Sequence, residues 1–259
     1  MNTTELKKII KKELNSLEPC EEVLEEFETK DLKDISNDSK VWFASMNVRT
    51  CKIALESGLF DVNMKDNDGK TALMYAVDRE DYNTVKLLLD NGADVNMKDN
   101  DGKTALMSAV GREDYNTVKL LLDNGADVNM ENKYGRTALM YAVDREDYNI
   151  VKLLLDNGAD VNMENKYGRT ALMYAVGSED YNIVKLLLDN GADVNMENND
   201  GKTALMYAVD IEDYNTVKLL LDNGADVNMK SDYGNTALDY AKEYEITEII
   251  ELLNKYTNK

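Results

Sequence analysis

Histidine is absent from all 259 residues. Serine and cysteine nucleophiles usually depend on an imidazole base, so Ser–His and Cys–His chemistry is excluded at once. Cysteine occurs only as Cys20 and Cys51. Two are too few for a disulfide framework, and their spacing fits no metal site. A reducing, intracellular setting is therefore expected. No stretch approaches the roughly 18 to 20 apolar residues that cross a bilayer. Residues 1–8, Met-Asn-Thr-Thr-Glu-Leu-Lys-Lys, lack the apolar core of a signal peptide. Glycines form no phosphate-cradling loop. Basic charge is also scarce: 30 Lys and Arg stand against 50 Asp and Glu, a net charge of −20. That balance repels nucleic-acid phosphates and anionic lipid. It suits a basic partner, and it also keeps a repetitive chain in solution. These absences lead us to expect a soluble cytoplasmic protein that is not an enzyme. No cofactor, metal, nucleic acid or membrane is expected to bind, though export without a signal peptide stays open.

What the chain has instead is a period. Gly69, Gly102, Gly135, Gly168, Gly201 and Gly234 recur every 33 residues. Asp68 to Ala76 reads Asp-Gly-Lys-Thr-Ala-Leu-Met-Tyr-Ala, and Val85 to Asn96 reads Val-Lys-Leu-Leu-Leu-Asp-Asn-Gly-Ala-Asp-Val-Asn. Strict repetition at this length signals a stacked array whose units touch only their neighbours. Its core grows by one layer per repeat.

Within 66–98, Asp66-Asn67-Asp68-Gly69 is turn chemistry, with short side chains that bond their own backbone before a permissive glycine. Thr71 is placed to cap a first helix, on which Leu73, Ala76 and Val77 share a face. The polar run Asp78 to Asp81 ends it, and Asp81 or Asn83 can cap a second helix with Val85, Leu88 and Leu89 as its stripe. Asn91-Gly92 reads as a helix exit, and Ala93 to Met97 as an extended run into the next turn. Both helices are expected to span about eight to ten residues. Helices this short are marginal alone, so each unit must bury its faces against its neighbours.

These residues resemble the ankyrin repeat: Asp66, Gly69, Thr71, Leu73 and Ala76, then Val85 to Leu89 and Gly92 to Asn96. The resemblance implies an all-α solenoid of helix-turn-helix units with hairpin-like tips. Five full copies span 66–230, at 66–98, 99–131, 132–164, 165–197 and 198–230. Residues 35–65 read as a degenerate first copy, with Ser57 to Asn63 echoing the repeat exit, and 231–259 as a terminal copy. Residues 1–34 read as a helical extension that covers the end of the array. Three departures from the family stand out. Ala72 replaces its proline, and Glu80 stands where glycine is common between the helices. Met74, Met107, Met140, Met173 and Met206 replace its histidine, with Asp239 in the last copy. Apolar contact along a methionine ladder is expected to take over from some of the polar bonding between repeats.

Nine of the 33 columns vary among the five copies. Eight lie at the turn tip, on the first helix or in the break after it, and the ninth is Thr84, which becomes Ile150 and Ile183. Asn83, Lys86, Asp90 and Asn91 never change. In ankyrin-like proteins the tips and first helices line the concave recognition face, so variation falls where a partner would touch. Duplication followed by drift is the alternative. The expected contact residues are Tyr75, Asp78, Arg79, Ser108, Arg112, Tyr141, Asp144, Arg145, Tyr174, Ser178, Tyr207, Asp210 and Ile211. At the tips they are Asp68, Lys70, Asp101, Lys103, Tyr134, Arg136, Tyr167, Arg169, Asp200, Lys202 and Tyr233. Tyrosine and arginine are favoured at binding hot spots. The tyrosine row, which Tyr240 extends, can equally be packing between first helices.

Asp66 to Gly69 hints at a calcium loop, but Met64 and Tyr75 would occupy its first and twelfth positions, where oxygens are needed. Leu6, Ile9, Ile10, Leu14 and Leu17 form a stripe opposite Lys7, Lys8, Lys11 and Lys12, and Pro19 opens an acidic segment. Such a helix can lie on a membrane or cap the array, with Trp42 and Phe43 close by. The function expected is a scaffold, monomeric, that binds a partner protein, the alternative being an acidic decoy for a basic site such as one for nucleic acid.

Overall fold

The computed structural model describes residues 3–17, 21–58 and 60–257. Pro19, Cys20 and Leu59 lie outside the described residues. Among those described are sixteen α-helices and no strand, with one isolated bridge between Glu197 and Thr203. Residues 1–127 and 128–259 form two compact units.

The first unit holds α1 (Thr3–Leu14), α2 (Glu21–Thr29), α3 (Asn37–Ser45), α4 (Val48–Ser57), α5 (Ala72–Asp78), α6 (Tyr82–Asp90), α7 (Ala105–Gly111) and α8 (Tyr115–Asp123). Helices pair as α3 with α4, α5 with α6 and α7 with α8, and each pair stacks on the next. The Thr71 hydroxyl accepts from the Met74 amide at 3.4 Å, which starts α5. Nine residues after Thr71, Glu80 turns left-handed, with φ 58°, and the chain reverses. Its equivalents Glu113, Glu146, Glu179, Glu212 and Glu245 do the same. The family's glycine would fit there freely, whereas a side chain costs on the order of 1 kcal/mol. Asp81, not Asn83, then caps α6 by accepting from the Thr84 amide at 3.1 Å. In the full copies the second helices span nine residues, but the first span seven, shorter than expected, because the glutamate turn follows so closely.

Gly92 closes α6 with φ 85°. The expected extended run from Ala93 to Met97 is instead broken by a turn at Val95–Asn96, where the Asp94 carboxylate accepts from the Asn96 amide at 2.9 Å. That turn aims the Asn96 side chain at the next repeat. Its Nδ2 donates to the Gly125 carbonyl at 3.1 Å, and its Oδ1 accepts from the Asp127 amide at 2.8 Å. Asn63 makes the same clasp to Gly92 and Asp94. Polar bonding between repeats therefore persists without histidine, carried by an invariant asparagine at the helix exit. The methionines Met74, Met107, Met140, Met173 and Met206 are buried as expected. Asp239 is exposed and exchanges hydrogen bonds with Thr236 as a reciprocal cap.

At the amino-terminal side, Leu6, Ile10 and Leu14 of α1 are buried, with Ile9 and Leu17 half-buried. Lys11 pairs with Glu28 at 3.0 Å, and Arg49 of α4 reaches Glu13 at 2.7 Å. The Phe27 and Phe43 rings lie 5.5 Å apart. Three of the five residues of the apolar stripe are thus covered by the protein itself. Cys51 is fully buried, and burial with the nearby Asp81 charge pushes its thiol up to about 12. It stays protonated and unreactive.

The second unit holds α9 (Ala138–Asp144), α10 (Tyr148–Asp156), α11 (Ala171–Gly177), α12 (Tyr181–Asp189), α13 (Ala204–Asp210), α14 (Tyr214–Asp222), α15 (Ala237–Glu243) and α16 (Thr247–Thr257). It repeats the same construction. Asn162 clasps Gly191 at 3.2 Å and Asp193 at 2.8 Å, and Asn195 clasps Gly224 and Asp226. Its three full copies bury alanine, leucine, methionine and valine, and the terminal copy buries Ala237, Tyr240, Ala241, Ile249, Leu252 and Leu253.

The ninth variable column is core, not surface. Ile150 and Ile183 are 0% exposed there, and Thr216 is 1%. The Thr117 and Thr216 hydroxyls have no hydrogen-bond partner. A buried unpaired hydroxyl costs about 1 to 3 kcal/mol, and the chain already seats isoleucine at this position. Thr216→Ile is therefore expected to stabilise the protein by about 1 kcal/mol or more, measured by urea unfolding. Asn162→Ala removes both bonds of one clasp and should cost about 2 kcal/mol in the same experiment.

Candidate functional site

Each expected contact residue is carried by a first helix, by the C-cap that ends it, or by the tip preceding it. In the first unit Tyr75 is half-buried, and its hydroxyl donates to Asp66 at 2.7 Å. That bond, together with burial, pushes the phenol far above its ordinary range, so it remains protonated. Lys70 and Arg79 approach its ring to 5.1 and 5.8 Å, and Lys70 pairs with Asp78 at 3.1 Å. Arg79 donates to Ser45 at 2.6 Å. Arg112 reaches Asp78 at 3.7 Å and Glu80 at 3.4 Å. Ser108 is only 7% exposed and offers no contact surface. With no ring to project, it sinks among the first helices, and the expectation for this residue fails. Asp68 and Asp101 are exposed, and Lys103 is half-buried.

The first unit also has a cleft of about 630 Å³ lined by residues that include Glu25, Glu26, Asp38, Trp42, Asp68 and Tyr75. Desolvation would raise the Glu26 carboxyl, but hydrogen bonds from Lys30, Ser36 and Ser39 outweigh it and hold the group at about 2. Glu26 therefore stays ionised across the physiological range.

The second unit is more ordered. Tyr141, Tyr174 and Tyr207 are half-buried, and their hydroxyls accept from Asn132, Asn165 and Asn198 nine residues upstream, at 2.9, 2.7 and 2.8 Å. Tyr240 is buried and meets Ser231 at 2.9 Å. Between successive rings lies a cation from the tips. Arg136 is 4.3 Å from the Tyr141 ring and 5.1 Å from Tyr174. Arg169 is 5.9 Å from Tyr174 and 5.2 Å from Tyr207. Lys202 is 5.8 Å from Tyr207 and 4.8 Å from Tyr240. Rings and cations alternate through this unit, with each pair worth about 0.5 to 2 kcal/mol. Asp144 neutralises Arg136, and Asp210 pairs with Lys202 at 2.6 Å. Arg145 and Asp200 are exposed, while Ser178 and Ile211 are half-buried. The tip rings Tyr134, Tyr167 and Tyr233 are 49, 62 and 74% exposed, which leaves them free for large contacts.

The tyrosine row is therefore both packing and surface. Its hydroxyls bond within each repeat, and its ring faces hold the tip cations in line. The variable columns alone did not point to this ladder. Its signal is the joint spacing of Asn132, Arg136 and Tyr141, four and five residues apart. Sequence reasoning also passed over a second set of exposed rings at the start of the second helices: Tyr82 and Tyr115 in the first unit, and Tyr148, Tyr181 and Tyr214 in the second. Among the described residues no group of His, Cys, Asp or Glu could hold a metal ion. No described helix is long and apolar enough to cross a membrane.

The family model for ankyrin repeats (3 copies) matches in overlapping frames at 11–99, 41–132, 79–165, 106–198, 147–231 and 172–259. The chain belongs to the ankyrin-repeat family, and its fold is an all-α ankyrin solenoid. Ankyrin repeats are in general protein–protein interaction modules, typically without catalytic activity. No curated protein matches the chain.

Asn165 is 6% exposed, and its amide depends on the Tyr174 hydroxyl. Tyr174→Phe keeps the ring between Arg136 and Arg169 but strands that amide. It is expected to cost about 1 to 2 kcal/mol in chemical unfolding while leaving surface binding intact.

Proposed function

We propose that the protein is a non-enzymatic, monomeric scaffold that grips a partner protein with its tips and first helices. The observation that carries this reading is the second unit's tyrosine–cation ladder with exposed Tyr134, Tyr167 and Tyr233 beside it. Rigid rings and oriented guanidiniums give contact area at low entropic cost. The changing residues along this face, Asp144/Arg145, Gly177/Ser178 and Asp210/Ile211, would set the register of the partner. A cytoplasmic location accords with the low cysteine content.

The acidic cleft of the first unit favours a second reading, in which the chain blocks a basic site on its partner. Trp42 and Tyr75 with Glu25, Glu26, Asp38 and Asp68 suit a lysine or arginine side chain. Salt separates the two readings, since screening weakens charge-dominated binding far more than aromatic contact.

The test is affinity capture from a native lysate, comparing the intact chain with Tyr134→Ala/Arg145→Glu/Tyr167→Ala. All three residues are exposed, so folding should be preserved, as checked by thermal unfolding. Loss of the proteins retained by the intact chain is expected. Equal retention by both would show that the contact surface lies elsewhere.

A further inference from the structure

In the second unit the cations of the ladder are not equally satisfied. The column eight residues after each tip cation holds Asp144 and Asp210, which pair with Arg136 and Lys202. Lys70 with Asp78 shows the same arrangement in the first unit. In the repeat 165–197 that column is Gly177. Among the described residues Arg169 forms no ion pair, and its guanidinium donates once, from Nη2 to the Tyr207 hydroxyl at 3.0 Å. A guanidinium carries five N–H donors in a planar fork, so most of its capacity is unspent. The space is open as well. Gly177 is exposed, and a Cβ built on it meets nothing within 4 Å. Glycine 111 makes the same gap in the first unit beside Lys103, but Ser108 stands where a flanking ring would be. Only Arg169 combines the missing carboxylate with rings on both sides, Tyr174 and Tyr207.

We infer that Arg169, held between Tyr174 and Tyr207 beside Gly177, receives an aspartate or glutamate carboxylate from the partner protein. This rests on the protein-binding reading above and names the chemistry recognised there. The neighbouring repeats supply the template: the partner's carboxylate takes the place that Asp144 and Asp210 fill within the chain. Stacking fixes the plane of the guanidinium, which suits a bidentate carboxylate. The chain's charge of −20 and the exposed Glu179 beside Ser178 work against long-range attraction. The carboxylate must therefore arrive as one element of a wider contact, and the site acts through short-range geometry, giving specificity more than on-rate.

The experiment reads the site directly. The full-length protein is titrated with the blocked tripeptide acetyl-Gly-Glu-Gly-amide, its glutamine counterpart, or inorganic phosphate. The Arg169 Nε–H signal and the ring carbon signals of Tyr174 and Tyr207 are followed by NMR. The glutamate peptide is expected to shift all three saturably and the glutamine peptide to leave them in place. Gly177→Asp should weaken the glutamate peptide at least tenfold while preserving the thermal midpoint, because the chain then supplies its own carboxylate. Arg169→Lys, which keeps the charge and loses the fork, should also weaken it about tenfold, read on the tyrosine signals. Equal responses to the two peptides, or undiminished binding by Gly177→Asp, would overturn the inference. So would phosphate binding more tightly than the glutamate peptide. Because no partner is needed, the result is independent of the lysate capture. A failed capture with a specific glutamate response would remove the wider reading and leave the site, and the converse would remove the site alone.

Discussion

A helix of seven residues cannot hold itself in water, and everything in this structure answers to that constraint. Nucleating such a helix costs more than its few internal hydrogen bonds return. Stability has to come from neighbours, so the first helix of each of the five full copies buries alanine, leucine, methionine and valine. The small alanines let backbones approach closely, and the longer side chains interlock. The asparagine at the helix exit does the polar part of the same task. It saturates a glycine carbonyl and an aspartate amide of the following repeat with one side chain. Spacing between repeats is thereby held at the outer edge as well as in the core.

That arrangement explains why packing and surface are not separate sets of residues here. A ladder tyrosine places its hydroxyl inward on the turn nine residues upstream and its ring faces between successive tip cations. Replacing it would disturb both the repeat and the face. Variation is cheaper at columns whose side chains end in solvent, such as Arg145, Gly177 and Ser178, and those columns do vary. The strained glutamates between the helices show the opposite behaviour. All six keep a left-handed conformation that glycine would adopt without cost. In the five full copies the cap that follows, aspartate on the second helix, over-determines the turn and lets the array tolerate that strain.

Near-identity of the copies makes the chain its own control. A single exchange, Asp to Gly at position 177, can be read against two sister repeats in which the carboxylate is present and paired. The same comparison exposes Thr117 and Thr216 as less well-fitted occupants of a site that Ile150 and Ile183 fill. It also shows how an acidic protein can line up cations in a row. Acidity resides largely in turns and exits, where aspartate caps amides and bonds its own backbone, whereas the tip cations are gathered between rings.

Much of this was legible in the order of residues alone. Period, helix pairing, the Thr71 cap, a second cap at Asp81 or Asn83 and the left-handed Gly92 exit are local matters, set by side chains within a few positions of one another. Burial of the methionines followed from the same periodicity, and so did the short helices' need for neighbours. Folding decided what depends on contacts across one period. The Asn96 clasp joins atoms 29 and 31 residues apart. The cations between rings reach as far as 38 residues along the chain, as Arg169 does to Tyr207. Burial of Ser108 and of the Thr84 column depends on which face of each helix its neighbour covers. Spacing within one repeat determines how each helix begins and ends, while side-chain placement across repeats is fixed only when layers meet.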